Sequence, residues 1–122
     1  MSDADARPWP TELKVHRAAR TLEIAFDDGA RFTLPAEYLR VMTPSAADRG
    51  HGAGPGRTVH GKRNVGIKDV QAIGRYAARL VFDDGHDTGL YSWDELHRLG
   101  AEQRRLWSEY ERRLAHEGLS RD

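Results

Sequence analysis

The four residues Phe-Asp-Asp-Gly occur twice in this chain, at Phe26–Gly29 and again at Phe82–Gly85. An apolar strand end followed by two carboxylates and a glycine is a hairpin signal, because glycine accepts the positive φ that tight turns require. The likeness runs past the turn. An alternating run precedes each copy (Thr21–Phe26; Ala77–Phe82), and a short extended run follows. A short helix-like stretch comes next, Pro35–Arg40 in one copy and Ser92–Arg98 in the other. One extra residue in the second copy brings Leu39 into line with Leu96. Self-similarity of this kind indicates one small architecture built on two related hairpins. It constrains the fold and names no activity.

The rest of the chain fits around that frame. Glu12–Arg17 alternates, with Leu13 and Val15 on one face, and reads as a strand. Leu22, Ile24 and Phe26 share a face of the next strand, and Phe32 and Leu34 continue it. Pro35 suits the first position of a short helix. Residues 43–66 carry six glycines (50, 52, 54, 56, 61 and 66) and two prolines (44 and 55), which predicts a long loop. Val65–Ile73 is extended again, and Ala78, Leu80 and Phe82 face one side of the following strand. Ser92 and Glu95 have capping-box spacing ahead of a helix that Gly100 is expected to end. From Ala101 to Glu117 the period becomes helical, with Leu106, Tyr110 and Leu114 as the core stripe and Gly118 at the stop. The expected fold is α+β. It is a small β-rich domain of two hairpin-plus-short-helix halves, with a long Gly-rich loop and a C-terminal helix. Residues 1–9 read as a flexible leader, 10–100 as the domain, and 101–118 as an amphipathic helix packed on it.

Composition excludes several kinds of chemistry. At 122 residues the chain is one domain by size. Nineteen basic and nineteen acidic side chains cancel, so no global field favours nucleic acid or an anionic membrane. There is no cysteine, hence no disulfide, thiolate zinc site, Cys nucleophile or Cys-held cluster. No apolar run approaches membrane-spanning length. The polar, acidic start lacks a secretory pattern, and the chain reads as cytoplasmic.

Gly56–Lys62 matches Gly-x-x-x-x-Gly-Lys, but Arg63 stands where a phosphate loop needs Ser or Thr for Mg²⁺. The segment after it is extended instead of helical, so a nucleotide-hydrolysing loop is not expected. The same loop gathers Arg57, Lys62 and Arg63, donors suited to an acidic partner or simply to solvation. No aromatic residue is interleaved with them, which argues against single-stranded nucleic acid. Of the six histidines, none falls into a metal-protease or facial-triad spacing. His86 follows the second turn beside Asp83, Asp84 and Asp87, where bonding to the turn carboxylates is expected to raise its pKa. The Asp27/Asp28 and Asp83/Asp84 pairs sit in turns, and their repetition argues for structure over acid–base catalysis.

Three segments together resemble one family: Tyr38–Ala46, Gly61–Ile67 and, most specifically, Leu80–Trp93. They are similar to the gamma-butyrobetaine hydroxylase N-terminal-like domain, over about residues 10–100. The resemblance implies a domain that stands alone in bacteria or precedes the barrel of iron- and 2-oxoglutarate-dependent hydroxylases. It is also attached to ATPases that carry iron–sulfur clusters. In the hydroxylases the domain holds no catalytic iron; it binds a structural zinc through three cysteines and one histidine and helps subunits pair. The cysteine positions fall near Thr43, Ser45 and Asp48, and the histidine at His86. The family's zinc set is therefore not expected here, and the barrel has no room.

The expectation is a non-catalytic interaction or adaptor domain linked to iron–sulfur or metal-protein assembly, requiring no cofactor. Arg57, Lys62, Arg63, Tyr91 and Trp93 are its candidate contact residues. Its partner is a protein of unknown identity or, by family context, a second copy. The alternative is a zinc- or iron-binding protein centred on His86, with His51 and His60 from the loop.

Overall fold

The computed structural model describes residues 8–43, 58–87 and 89–122. Nine elements follow in chain order: β1 (Pro10–His16), β2 (Thr21–Phe26), β3 (Arg31–Pro35), α1 (Ala36–Val41), β4 (Ile67–Ile73), β5 (Ala77–Phe82), β6 (Gly89–Ser92), α2 (Trp93–Ala101) and α3 (Gln103–Glu117). They make two antiparallel three-stranded sheets, β1-β2-β3 and β4-β5-β6, in a small α+β domain. No described helix is long and apolar enough to cross a membrane.

The repeat is larger than the sequence alone suggested. Each half is a three-stranded meander plus a helix, because β1 and β4 belong to it as well. Both carry the same register shift, between Pro10 and Glu12 against β2 and between Ile67 and Asp69 against β5. A bulge bends a strand locally, and here it recurs at the same place in both sheets. The turns repeat atom by atom. The Phe26 and Phe82 N–H groups donate to the Ala30 and His86 carbonyls (2.8 and 2.9 Å). Gly29 and Gly85 hold φ of +90° and +92°, the left-handed residue that closes a three-residue hairpin loop. Asp28 and Asp84 each accept the N–H two residues on (2.9 and 3.1 Å). Asp27 and Asp83 each clamp the start of the first strand. Asp27 Oδ1 accepts from the Trp9 N–H (3.0 Å) and Asp83 Oδ1 from the Gly66 N–H (2.9 Å).

One core serves both halves. Leu22, Ile24, Phe26 and Leu34 from the first sheet meet Leu80, Phe82 and Tyr91 from the second, with Leu39, Leu96 and Leu99 from the helices. Complete burial of a leucine or phenylalanine is worth about 1.5–3 kcal/mol. Tyr110 and Leu114 of α3 are buried as the helical stripe predicts.

Three local expectations change. Pro35 is the N-cap of α1 and the last residue of β3, with ψ of 144°, one place earlier than expected. Ser92 caps α2 by accepting the Glu95 N–H (3.1 Å); the Glu95 carboxylate turns to Arg98 (2.9 and 3.1 Å). Gly100 lies inside α2. A Cβ there would stand 2.4 Å from the Phe32 ring, so this glycine lets β3 approach the helix. α3 does end at Gly118, which is left-handed at φ 67°. The Leu119 N–H reaches the Leu114 carbonyl at 2.8 Å, closing the last turn.

Candidate functional site

The halves are joined by an exchange. Asp28 in the first turn bonds His97 of the second half's helix (Oδ2 to Nε2, 2.9 Å). Asp84 in the second turn accepts from Arg40 of the first half's helix (Nε, 2.9 Å). Alignment of Leu39 with Leu96 makes Arg40 and His97 equivalent positions. Each turn therefore reaches across to the opposite helix. The His97 ring also packs edge-on to Phe26 and Phe32, at 4.9 and 5.5 Å between centroids.

Asp84 is the more heavily loaded brace. It also accepts from Lys62 Nζ (2.6 Å). Burial pushes its carboxyl up, but the bonds from Lys62, the His86 N–H and Arg40 outweigh that and hold it near about 2. A cavity of about 350 Å³ lies here, lined by residues 61–65, Asp83, Asp84, Arg121 and Asp122. Its lining mixes three cations (Lys62, Arg63, Arg121) with three carboxylates (Asp83, Asp84, Asp122), so it favours neither anion nor cation.

Lys62 and Arg63 are both paired within the chain. Arg63 forms an ion pair with Asp122. Backbone bonds run alongside, from the Gly61 N–H to the Ser120 carbonyl (3.0 Å) and from the Arg63 N–H to the Arg121 carbonyl (2.9 Å). Arg121 extends to Glu37 with a two-pronged bond (2.8 and 2.7 Å).

Tyr91 is fully buried and donates its hydroxyl to the Leu39 carbonyl (2.5 Å). That corrects its expected place on the contact surface. Strand alternation turns Gly89 and Tyr91 inward and Leu90 outward. Trp93 stays partly open, with its indole N–H on the Arg75 carbonyl (2.9 Å) and Trp9 edge-on at 6.5 Å. His60 is exposed. Arg57 and His51 lie outside the described residues, as do Ser45 and Asp48.

At His86 the Asp84 carboxylate accepts the backbone N–H (3.1 Å). The ring Nε2 lies 3.3 Å from Thr43 Oγ1. The sequence supplies no cysteine for the thiolate-rich set of a structural zinc. Among the described residues, no group of three His, Asp or Glu side chains is placed to hold a metal.

The two sheets differ on their outer faces. On the first, Glu12, Lys14, His16, Glu23 and Arg31 form a closed set of ion pairs, including Arg31 to Glu12 (2.9 Å) and His16 to Glu23 (3.0 Å). These lower the Glu12 and Glu23 carboxyls, chiefly through Lys14 and His16 respectively. On the second, register sets Ile73 opposite Ala77, and Arg79 opposite both Gln71 and Leu90. Ile73, Leu90 and the turn residue Tyr76 are 41%, 48% and 71% exposed. Sequence reasoning had assigned these positions no role. Their signal was an apolar residue at strand positions whose first-half equivalents are polar, such as Ile73 against His16.

Residues 13–97 match the family described as gamma-butyrobetaine hydroxylase-like, N-terminal. A protein solved in solution by NMR is 48% identical, with TM-score 0.81, over 99% of this chain and 90% of that one. A second NMR structure is 42% identical, with TM-score 0.79, over 94% and 90%. A crystal structure of a protein of unknown function of the DUF971 family, from Acidithiobacillus ferrooxidans, is 36% identical. Its TM-score is 0.65, over 76% of this chain and 93% of that one. No curated protein matches.

Proposed function

Because the chain belongs to the gamma-butyrobetaine hydroxylase-like, N-terminal family, we propose that it acts as a non-catalytic interaction module. Its docking surface is the outer face of β4-β5-β6. One observation carries the reading. Two halves that repeat their turns, bulges and braces diverge on their outer faces, one sealed by ion pairs and the other presenting Ile73, Tyr76 and Leu90. Exposed apolar groups gathered in one place mark interaction surfaces. Trp93 and Trp9 border the same sheet, and Arg79 at its centre offers a cation to an acidic rim. The repeated carboxylates support the non-catalytic reading, since each accepts a backbone N–H, Asp28 and Asp84 within the turn and Asp27 and Asp83 at the start of the first strand of their half. The family's attachment to iron–sulfur ATPases makes a protein of metal-centre assembly the first partner to test.

The test places a photoreactive amino acid at position 90 and, as control, at Thr33 on the first sheet. Both proteins are irradiated in an extract of the source cells. A discrete adduct from position 90 that is absent from position 33 and lost on Ile73→Glu supports the reading. Equal adducts from both faces, or none from position 90 in a folded protein, overturn it. An adduct of the chain with itself replaces the adaptor with a self-associating module.

A further inference from the structure

We infer that Glu37, Trp107 and the backbone of residues 59–63 form a recognition slot for an arginine-bearing segment, filled in this structure by the chain's own residues 118–122. The slot stands apart from the outer face of the second sheet. Glu37 is 6% exposed. A carboxylate so buried is strongly unfavourable unless matched by a well-placed cation. Its match, Arg121, comes from the short stretch beyond Gly118, which lies outside every helix and strand.

The contacts are those of specific guanidinium recognition. Arg121 Nε and Nη2 reach the two Glu37 oxygens at 2.8 and 2.7 Å. Its guanidinium carbon lies 5.3 Å from the Trp107 ring centroid. A planar fork on a carboxylate with an aromatic face beside it selects arginine over lysine. The Gly61 and Arg63 N–H groups donate to the Ser120 and Arg121 carbonyls, so the slot holds the occupant's backbone as well as its side chain.

The receiving side is built without the occupant. Tyr110 donates to the Val59 carbonyl (2.8 Å), and Thr58 donates to Glu117 (2.8 Å). Lys62 is anchored on Asp84. These bonds hold residues 58–62 on α3 and the second turn, so the slot persists when residues 118–122 leave. The left-handed Gly118 is the pivot for that departure. The partner chemistry is therefore a peptide segment bearing an arginine, competing with a tethered copy at an effective concentration on the order of mM.

The probe is a synthetic N-acetylated peptide, Gly-Leu-Ser-Arg-Asp, titrated into full-length protein while the Trp107 indole N–H is followed by NMR. Wild type and the Arg121→Ala, Arg121→Lys and Glu37→Gln/Arg121→Ala variants are compared. Arg121→Ala is expected to bind saturably with a Kd on the order of 0.1 mM, and wild type, whose tethered competitor stands on the order of 1 mM, about 10-fold more weakly. The double variant, and a peptide with alanine in place of arginine, are expected not to bind. A folded Arg121→Ala protein that shows no saturable shift overturns the inference, as does equal binding of the alanine peptide. If Arg121→Ala does not fold, Arg121→Lys decides: binding of the arginine peptide supports the slot, and its absence refutes it. None of these outcomes bears on photoadducts at position 90.

Discussion

Asp84→Asn removes one charge from the interdomain-like brace between the halves and keeps the turn. The new amide oxygen still accepts the His86 N–H, which lies 3.1 Å from Asp84 Oδ1. What disappears is the carboxylate facing Arg40 at 2.9 Å and Lys62 at 2.6 Å. The Arg40 side chain is only 8% exposed, so water replaces the lost partner poorly. The Asp84 carboxyl sits near about 2 against an ordinary 3.8. At about 1.4 kcal/mol per unit of pKa, that difference corresponds to about 2.4 kcal/mol, and solvent contact at the turn reduces it to about 1–2 kcal/mol.

The sign follows from the depressed carboxyl. The unfolded chain binds the proton more readily than the native one, so the stabilisation is complete above the ordinary carboxyl range. It is lost as pH falls toward 2. Urea denaturation of wild type, Asp84→Asn and Asp28→Asn is to be measured at pH 7 and from about pH 5 downward. Asp84→Asn is expected to lose about 1–2 kcal/mol at pH 7 and to show a flatter acid slope than wild type. Asp28 is more open, at 40% side-chain exposure, and faces one histidine; Asp28→Asn is expected to lose less. Equal losses at the two turns, or an Asp84→Asn acid slope parallel to wild type, refute the assignment of Asp84 as the dominant brace.

Gly100→Ala is expected to lower the melting temperature, because a Cβ 2.4 Å from the Phe32 ring overpacks by about 1–3 kcal/mol, against a helix-propensity gain of about 1 kcal/mol; calorimetry checks it, and a stabilised variant contradicts the packing argument. Tyr91→Phe leaves the Leu39 carbonyl without its 2.5 Å donor and is expected to lose about 1–2 kcal/mol with photoadducts at position 90 unchanged. Tyr76→Glu is expected to do the reverse. Burial pushes Tyr38 and Tyr110 up to about 12 from an ordinary 10. Their phenols therefore stabilise the fold fully below pH 10 and lose that effect between pH 10 and 12; late titration of two tyrosines by ultraviolet absorbance, coincident with unfolding, is the expected signature.

Much of the fold was legible because its signals are local. A Phe-Asp-Asp-Gly turn states its own geometry, and Leu22, Ile24 and Phe26 state their face by alternation alone. Gly118 ends α3 because nothing else competes for it. Gly100 misleads for the opposite reason. Its role is set by Phe32, far away in sequence, and no local pattern encodes that approach. The first strands were seen as strands and missed as repeats, because β1 and β4 share a bulge and a clamp but little sequence. Tyr91 was misplaced for want of the strand's phase, since a four-residue strand gives alternation little room. Lys62 and Arg63 were legible as charges, while their pairing with Asp84 and Asp122 depends on how the chain returns.

Duplication also separates structural residues from the rest. Whatever both halves repeat is needed to make one domain from two units that share a single core. The turn carboxylates, the bulges and the exchanged braces belong to that set. Arg40 and His97 show the brace tolerating different partners at equivalent places. The departures from the repeat are therefore where a function beyond folding has left its mark. They are the apolar outer face of the second sheet and the pairing of residues 59–63 with residues 118–122, which has no counterpart among the described residues of the first half. On these two departures rest the docking face and the arginine slot proposed above.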